Sequence, residues 1–200
     1  MRRLNIPALL PLLIILALIG YFLPWILTPA SSLSLGAYDL AEWSSLHPVV
    51  KQTVPFLWTA LALRTPLAIL GILLAAYVNK TFHRPSITIV CVLVTAIALL
   101  PPLEFFTTYR DDPNYRQQFI LTLLILVVGI AAAIGQPKRL QRAQLVVLSV
   151  IGVLSSVIGL YQAQNLMQGF DLHIATGSGG VITTIALGTV AYLHITKQSS

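Results

Sequence analysis

The sequence predicts an all-α integral membrane protein: a bundle of six transmembrane helices with a short amphipathic helix at its external face. Three observations carry that expectation. First, 56% of the 200 residues are hydrophobic and only 9% charged, and the mean hydropathy is +0.85. A soluble domain carries about a quarter charged residues. Second, six apolar runs near the roughly 20 residues that cross the hydrocarbon are joined by short polar segments. The runs are continuous rather than alternating, which favours helices over a β-barrel. Third, the acids segregate from most of the basic residues. Arg2, Arg3, Lys80, Arg84, Lys138, Arg139, Arg142 and Lys197 all fall on one side of a six-span chain. The acids Asp39, Glu42, Glu104, Asp111, Asp112 and Asp171 all fall at or near the other. By the positive-inside rule the basic side is cytoplasmic and holds both ends of the sequence. Residues 1–200 read as a single polytopic domain in a prokaryotic plasma membrane.

The first expected span, 6–27, follows two arginines and mimics a signal peptide. Its run of about 22 apolar residues exceeds the 7–15 of a cleavable segment, so it is kept as a helix. The external loop after it contains "LGAYDLAEWSSLHP", with Leu40, Trp43 and Leu46 three apart and Asp39, Glu42 and Ser45 between them. That spacing predicts a helix lying on the membrane surface or capping the bundle, with Tyr38 and Trp43 at headgroup level and Pro48 ending it. The second and third spans are expected at 55–78 and 87–106. "TTYRDDPNYRQQ" then reads as a solvated turn, its Asp-Asp pair falling well short of a calcium loop.

The remaining spans are expected at 119–135, 143–161 and 174–195. In the last of them Thr176, Gly180, Thr184 and Gly188 recur every four residues. In the one before, Ser149, Gly152, Ser156 and Gly159 form a second small-residue stripe. Small residues let helix backbones approach closely in lipid. The two helices are therefore expected to pack as an antiparallel hairpin, or one face to meet a partner subunit, through Gly152, Gly159, Gly180, Thr184 and Gly188.

The candidate site is set by charge at membrane depth. Arg64 lies 14 residues before Val78 and Glu104 17 residues after Ile87, about 21 and 25 Å from the cytoplasmic ends at 1.5 Å per residue. Both fall in the outer third of the membrane, so an Arg64–Glu104 pair is expected between consecutive helices. Pro66 and Pro101 free backbone carbonyls at that height. Gly177, Ser178 and Gly179, with Asp171 and His173 just above, complete the candidate lining. Intramembrane ionisable groups and irregular backbone mark functional cavities by default. Two blander readings stand beside that one: Arg64 snorkels to the headgroups, or it forms a structural ion pair.

Other chemistry is excluded or weak. The net charge of +6 and the pI near 9.8 belong to topology, so no nucleic acid is expected, and the expected partners are anionic lipids at the cytoplasmic face and other membrane subunits. The lone Cys91 sits inside a span and supports neither a disulfide nor a metal cluster. His47, His83, His173 and His194 sit near span ends, as ordinary neutral surface histidines do. "GSGG" lacks the Lys and Ser or Thr of a phosphate loop. No hydrolase, zinc or redox motif is present; no cofactor or metal is indicated, and no enzyme is expected. A non-catalytic accessory or scaffolding subunit of a membrane complex is the leading expectation. A small transporter or permease subunit, with an anion or small-solute site around Arg64, is the alternative.

Overall fold

The computed structural model describes residues 6–28, 33–46, 57–134, 138–169 and 173–196. They form seven helices: α1 (Ile6–Phe22), α2 (Ala37–Leu46), α3 (Trp58–Phe82), α4 (Pro85–Ala98), α5 (Pro113–Ile134), α6 (Lys138–Gln168) and α7 (Ser178–Thr196). α3, α5, α6 and α7 are each long and apolar enough to cross a membrane, whereas α1 and α4 are apolar but shorter, at 17 and 14 residues.

α3 is the central helix and touches α1, α2, α4, α5 and α6, while α7 lies between α1 and α6. Its sequence explains this place. "LAILGILLAA" is apolar on every side, and all ten of its residues except Leu74 are buried. The outer helices show the reverse. Leu12, Ile19, Leu93, Val94, Ile120, Val127, Leu154 and Ile185 are large, apolar and exposed, while Arg64 is fully buried. Apolar rims around a buried charge suit a hydrocarbon solvent and not water, so the chain is a helical membrane protein.

Several boundaries depart from expectation, each for a local reason. The helix expected over 87–106 stops at Ala98, because Pro101 and Pro102 supply no backbone donors. A turn at Leu99, an extended Pro102 and a 3-10 turn, Leu103–Phe106, follow. α5 begins at Pro113, not at 119. The Asp112 carboxylate accepts from the backbone N–H groups of Asn114 (2.9 Å) and Tyr115 (3.2 Å), so Asp-Pro is an N-cap with proline in the first helical position. α6 runs to Gln168, well past 161. His83 ends α3 in the left-handed conformation (φ 51°), its N–H reaching the Asn79 carbonyl at 3.0 Å.

A small sheet is a further departure from an all-helical chain. β1 (Ile26–Thr28) pairs antiparallel with β2 (Leu33–Leu35) and with β3 (Ala175–Thr176), in the order β2-β1-β3. It ties the end of α1 to the start of α7. Gly177 donates to the Trp25 carbonyl (2.8 Å) and Gly179 to that of Pro24 (2.9 Å). The Trp25 indole donates back to the Gly20 carbonyl at 3.1 Å.

α2 is a cap rather than a freely lying surface helix. It packs on α3 through Ala37, Leu40, Ala41, Ser44 and Ser45, while Leu46, expected on the apolar face, is 67% exposed. The two serine hydroxyls can be buried because each donates to a carbonyl of its own helix, Ala41 and Glu42 respectively. Asp39 accepts from the Gly36 N–H (3.3 Å) at the helix start. Pro48 and His47 lie outside the described residues.

Candidate functional site

Arg64 is the organising residue. Its side chain has no solvent exposure, and its Nη2 donates to the Glu42 carboxylate at 2.6 Å. Nη1 donates to Asn114 Oδ1 (2.6 Å) and to Gln117 Oε1 (3.3 Å). The partners are themselves held. Gln118 donates to Glu42 Oε1 (2.7 Å), the Asn114 amide approaches Glu42 Oε2 (3.5 Å), and the Gln117 amide donates to the Leu57 carbonyl (3.2 Å). Asn114, Gln117 and Gln118 stand at i, i+3 and i+4, one face of a helix. That face exists only because α5 begins at Pro113. One charge pair and three amides thus join α2, α3 and α5.

Electrostatics follow from this arrangement. A buried guanidinium is tolerated only when paired and hydrogen-bonded, and Glu42 supplies the charge while the amides supply geometry. Glu42 is not fully enclosed, its side chain being 35% exposed. On the same helix, burial raises the Tyr38 phenol above its ordinary range and the Glu42 charge adds to the rise, with Arg64 opposing it. Among the described residues, two polar atoms of the fully buried Arg64 and Tyr21, the Arg64 Nε and the Tyr21 hydroxyl, have no hydrogen-bond partner.

The expected Arg64–Glu104 pair is replaced by Arg64–Glu42. Glu104 is exposed in the 3-10 turn after α4, because the proline pair ends the helix that was to carry it to Arg64. Snorkelling is excluded too, since Arg64 has no exposed surface. Pro66 and Pro101 are buried, as are Gly177 and Gly179. The two glycines are close-packed: a Cβ on either would run into backbone carbonyls at the end of α1. Ser178 and His173 are exposed, and Asp171 lies outside the described residues.

The small-residue stripes separate by function. A Cβ on Gly152 would meet Leu187 of α7 at 2.9 Å, one on Gly159 would meet Leu63 of α3 at 3.0 Å, and one on Gly180 would meet Leu160 of α6 at 3.1 Å. Gly188 differs: the nearest atom, Val153 Cγ2, is 3.9 Å away. Thr184 returns its hydroxyl to the Gly180 carbonyl at 2.7 Å. The tightest approach of α7 is made to α1. Gly20, a residue that the periodicity argument passed over, would place a Cβ 2.8 Å from Thr183 Oγ1.

Two recesses stand out, and Arg64 lines neither. The larger, about 320 Å³, lies between α6 and α7 and is lined by Leu160, Tyr161, Gln164, Gly180, Thr184 and Ile185 among others. The smaller, about 20 Å³, lies at the opposite end of the bundle, where α1, α3, α6 and α7 meet. Among the described residues no three His, Cys, Asp or Glu side chains converge as metal ligands. Comparison with known protein families, with curated proteins and with solved structures finds no match.

Proposed function

We propose that this chain is a non-catalytic accessory or scaffolding subunit of a larger complex in a prokaryotic plasma membrane. In this reading it crosses the bilayer six times, with both ends of the sequence on the cytoplasmic side. The observation that carries the proposal is the enclosure of Arg64. A guanidinium without exposed surface, both of whose Nη atoms are taken by side chains from α2 and α5, holds helices together and presents no face to a substrate.

Six crossings are supported by the lengths of the two short helices. The 14 residues of α4 rise about 21 Å, and residues 99–102, which turn at Leu99 and are extended at Pro102, continue the chain toward the far side of a core of about 30 Å. Orientation is supported by charge. Glu42, Asp112 and Glu104 lie toward the Arg64 end of the bundle, and Lys80, Arg84 and Arg142 toward the other. The apolar groove between α6 and α7, with exposed Val157, Tyr161, Val181 and Ile185 on its rim, supports a partner subunit.

Native mass spectrometry of gently extracted protein, with an absorption spectrum on the same sample, tests the reading. Defined partner subunits are the expected result; a lone monomer or homo-oligomer overturns it. A transporter built on the Arg64 zone is the second reading, favoured by the unpartnered Arg64 Nε and Tyr21 hydroxyl, which a ligand or water would satisfy. Loss of solute uptake in Arg64→Ala at unchanged fold would establish that alternative, whereas lost stability alone would not.

A further inference from the structure

The small cleft at the basic end joins features that the Arg64 cluster does not use. Four helices converge there: α1 gives Leu10 and Ile14, α3 gives Leu73, Ala76, Tyr77 and Lys80, α6 gives Leu145, and α7 gives Val190 and His194. The spacings Leu10/Ile14, Tyr77/Lys80 and Val190/His194 are three or four residues, so each pair lies on one face of its helix. Ile14, Leu73 and Val190 form a buried floor. Tyr77, Lys80 and His194 form a polar edge, with Arg142 one turn beyond Leu145 on α6. The imidazole is oriented: its Nδ1 donates to the Val190 carbonyl at 2.8 Å, which leaves Nε2 for a ligand, and Nε2 donates to an anion in the doubly protonated imidazolium form.

We propose that this cleft binds the headgroup phosphate of an anionic phospholipid, through Lys80 and His194 with the Tyr77 hydroxyl beside them. Three arguments lead there. The described acids, Asp39, Glu42, Glu104, Asp111 and Asp112, all belong to segments at the other end of the bundle, so the field at the cleft is positive. The walls are apolar below the polar edge, which matches a phosphate attached to hydrocarbon and not a free hydrated ion. The recess, at about 20 Å³, has room for roughly one water-sized group. It seats a phosphate oxygen or a methylene while the acyl chains run down the outside of the bundle, and it is too small for a dissolved metabolite. Basic pockets between membrane helices recognise anionic headgroups on these grounds. The proposal rests on residence in a bilayer and not on the accessory role, so either can fail alone.

The test is native mass spectrometry and thermal unfolding of the delipidated full chain in neutral detergent, titrated separately with phosphatidylglycerol, phosphatidylcholine and inorganic phosphate. One phosphatidylglycerol is expected to be retained and to raise the melting temperature, with phosphatidylcholine about tenfold weaker, equivalent to 1.4 kcal/mol. Lys80→Gln should weaken phosphatidylglycerol about fivefold, the effect of one basic residue near an anionic surface, and His194→Gln should weaken it in the same direction. Arg84→Gln, which removes an exposed charge at the same end but outside the cleft, should leave it unchanged. Melting without added lipid checks directly that the Lys80→Gln variant folds. Equal loss in Arg84→Gln, undiminished binding in both cleft variants, or phosphatidylcholine binding as well as phosphatidylglycerol would overturn the proposal. Displacement of the lipid by millimolar inorganic phosphate would identify a soluble anion as the ligand and overturn it equally.

Discussion

Removing Glu42 is the most informative perturbation of this fold. In Glu42→Ala the fully buried Arg64 loses its 2.6 Å charge partner and keeps two neutral acceptors, Asn114 Oδ1 and Gln117 Oε1. Gln118 loses its acceptor at the same time. Breaking a buried pair from one side costs about 3–5 kcal/mol. Glu42 is 35% exposed and two amide oxygens remain for the arginine, so the low end applies, about 3 kcal/mol. Arg64→Leu is expected to be milder. It leaves a carboxylate that can turn to water, and the loss reduces to two unpaired amide oxygens beside the part-exposed Glu42, about 1 kcal/mol each at the low end. The double variant Glu42→Ala/Arg64→Leu contains no stranded charge and should recover at least about 1 kcal/mol of the single-variant loss. Equilibrium unfolding from detergent into denaturing surfactant reads all three. A Glu42→Ala variant within about 0.5 kcal/mol of the parent, or a double variant no better than Glu42→Ala, would refute the claim that this pair holds α2, α3 and α5 together.

Further predictions address the junctions. Gly177→Ala places a Cβ against the Pro24 carbonyl, a backbone atom that cannot yield, and should lower the melting temperature sharply; Gly188→Ala has 3.9 Å of clearance and should be neutral or stabilising by up to about 1 kcal/mol through helix propensity. Asp112→Ala removes the cap that starts α5 and should cost about 1 kcal/mol in the same assay, whereas Asp112→Asn should retain most of it. Tyr38 titrates above its ordinary value when folded, so the stability it contributes is complete below about pH 10 and is lost as pH rises through the folded value. Tyr38→Phe should therefore flatten the alkaline limb of the stability profile, and absorbance of the phenolate should show one late-titrating tyrosine fewer.

Class and composition are one-dimensional properties, and the sequence by itself determined them. Continuous apolar runs with few charges yield helices in hydrocarbon whatever their neighbours, because backbone groups there must be satisfied within each segment. The helices α3, α6 and α7 and the importance of Arg64 were legible on that basis. The identity of the partner of Arg64 was not. Glu104 looked right by depth, but depth arithmetic assumes an unbroken helix, and Pro101–Pro102 breaks it. Glu42 stood among the polar positions of the expected surface helix, and its value to Arg64 appears only once α2 folds back onto α3. A local signal for the amide partners did exist: Asp-Pro as a cap and first turn, followed by Asn114, Gln117 and Gln118 on one face.

The same division holds for the glycines. A four-residue repeat marks close packing but does not say against what, so Gly180 and Gly188 looked alike. The tertiary arrangement set Gly180 against Leu160 and left Gly188 with space, and it used Gly177 and Gly179 to admit the end of α1. Periodicity fixes the direction in which a side chain points from its own helix. Which surface occupies the facing volume depends on how the other helices cross, and that is a property of the assembled bundle alone.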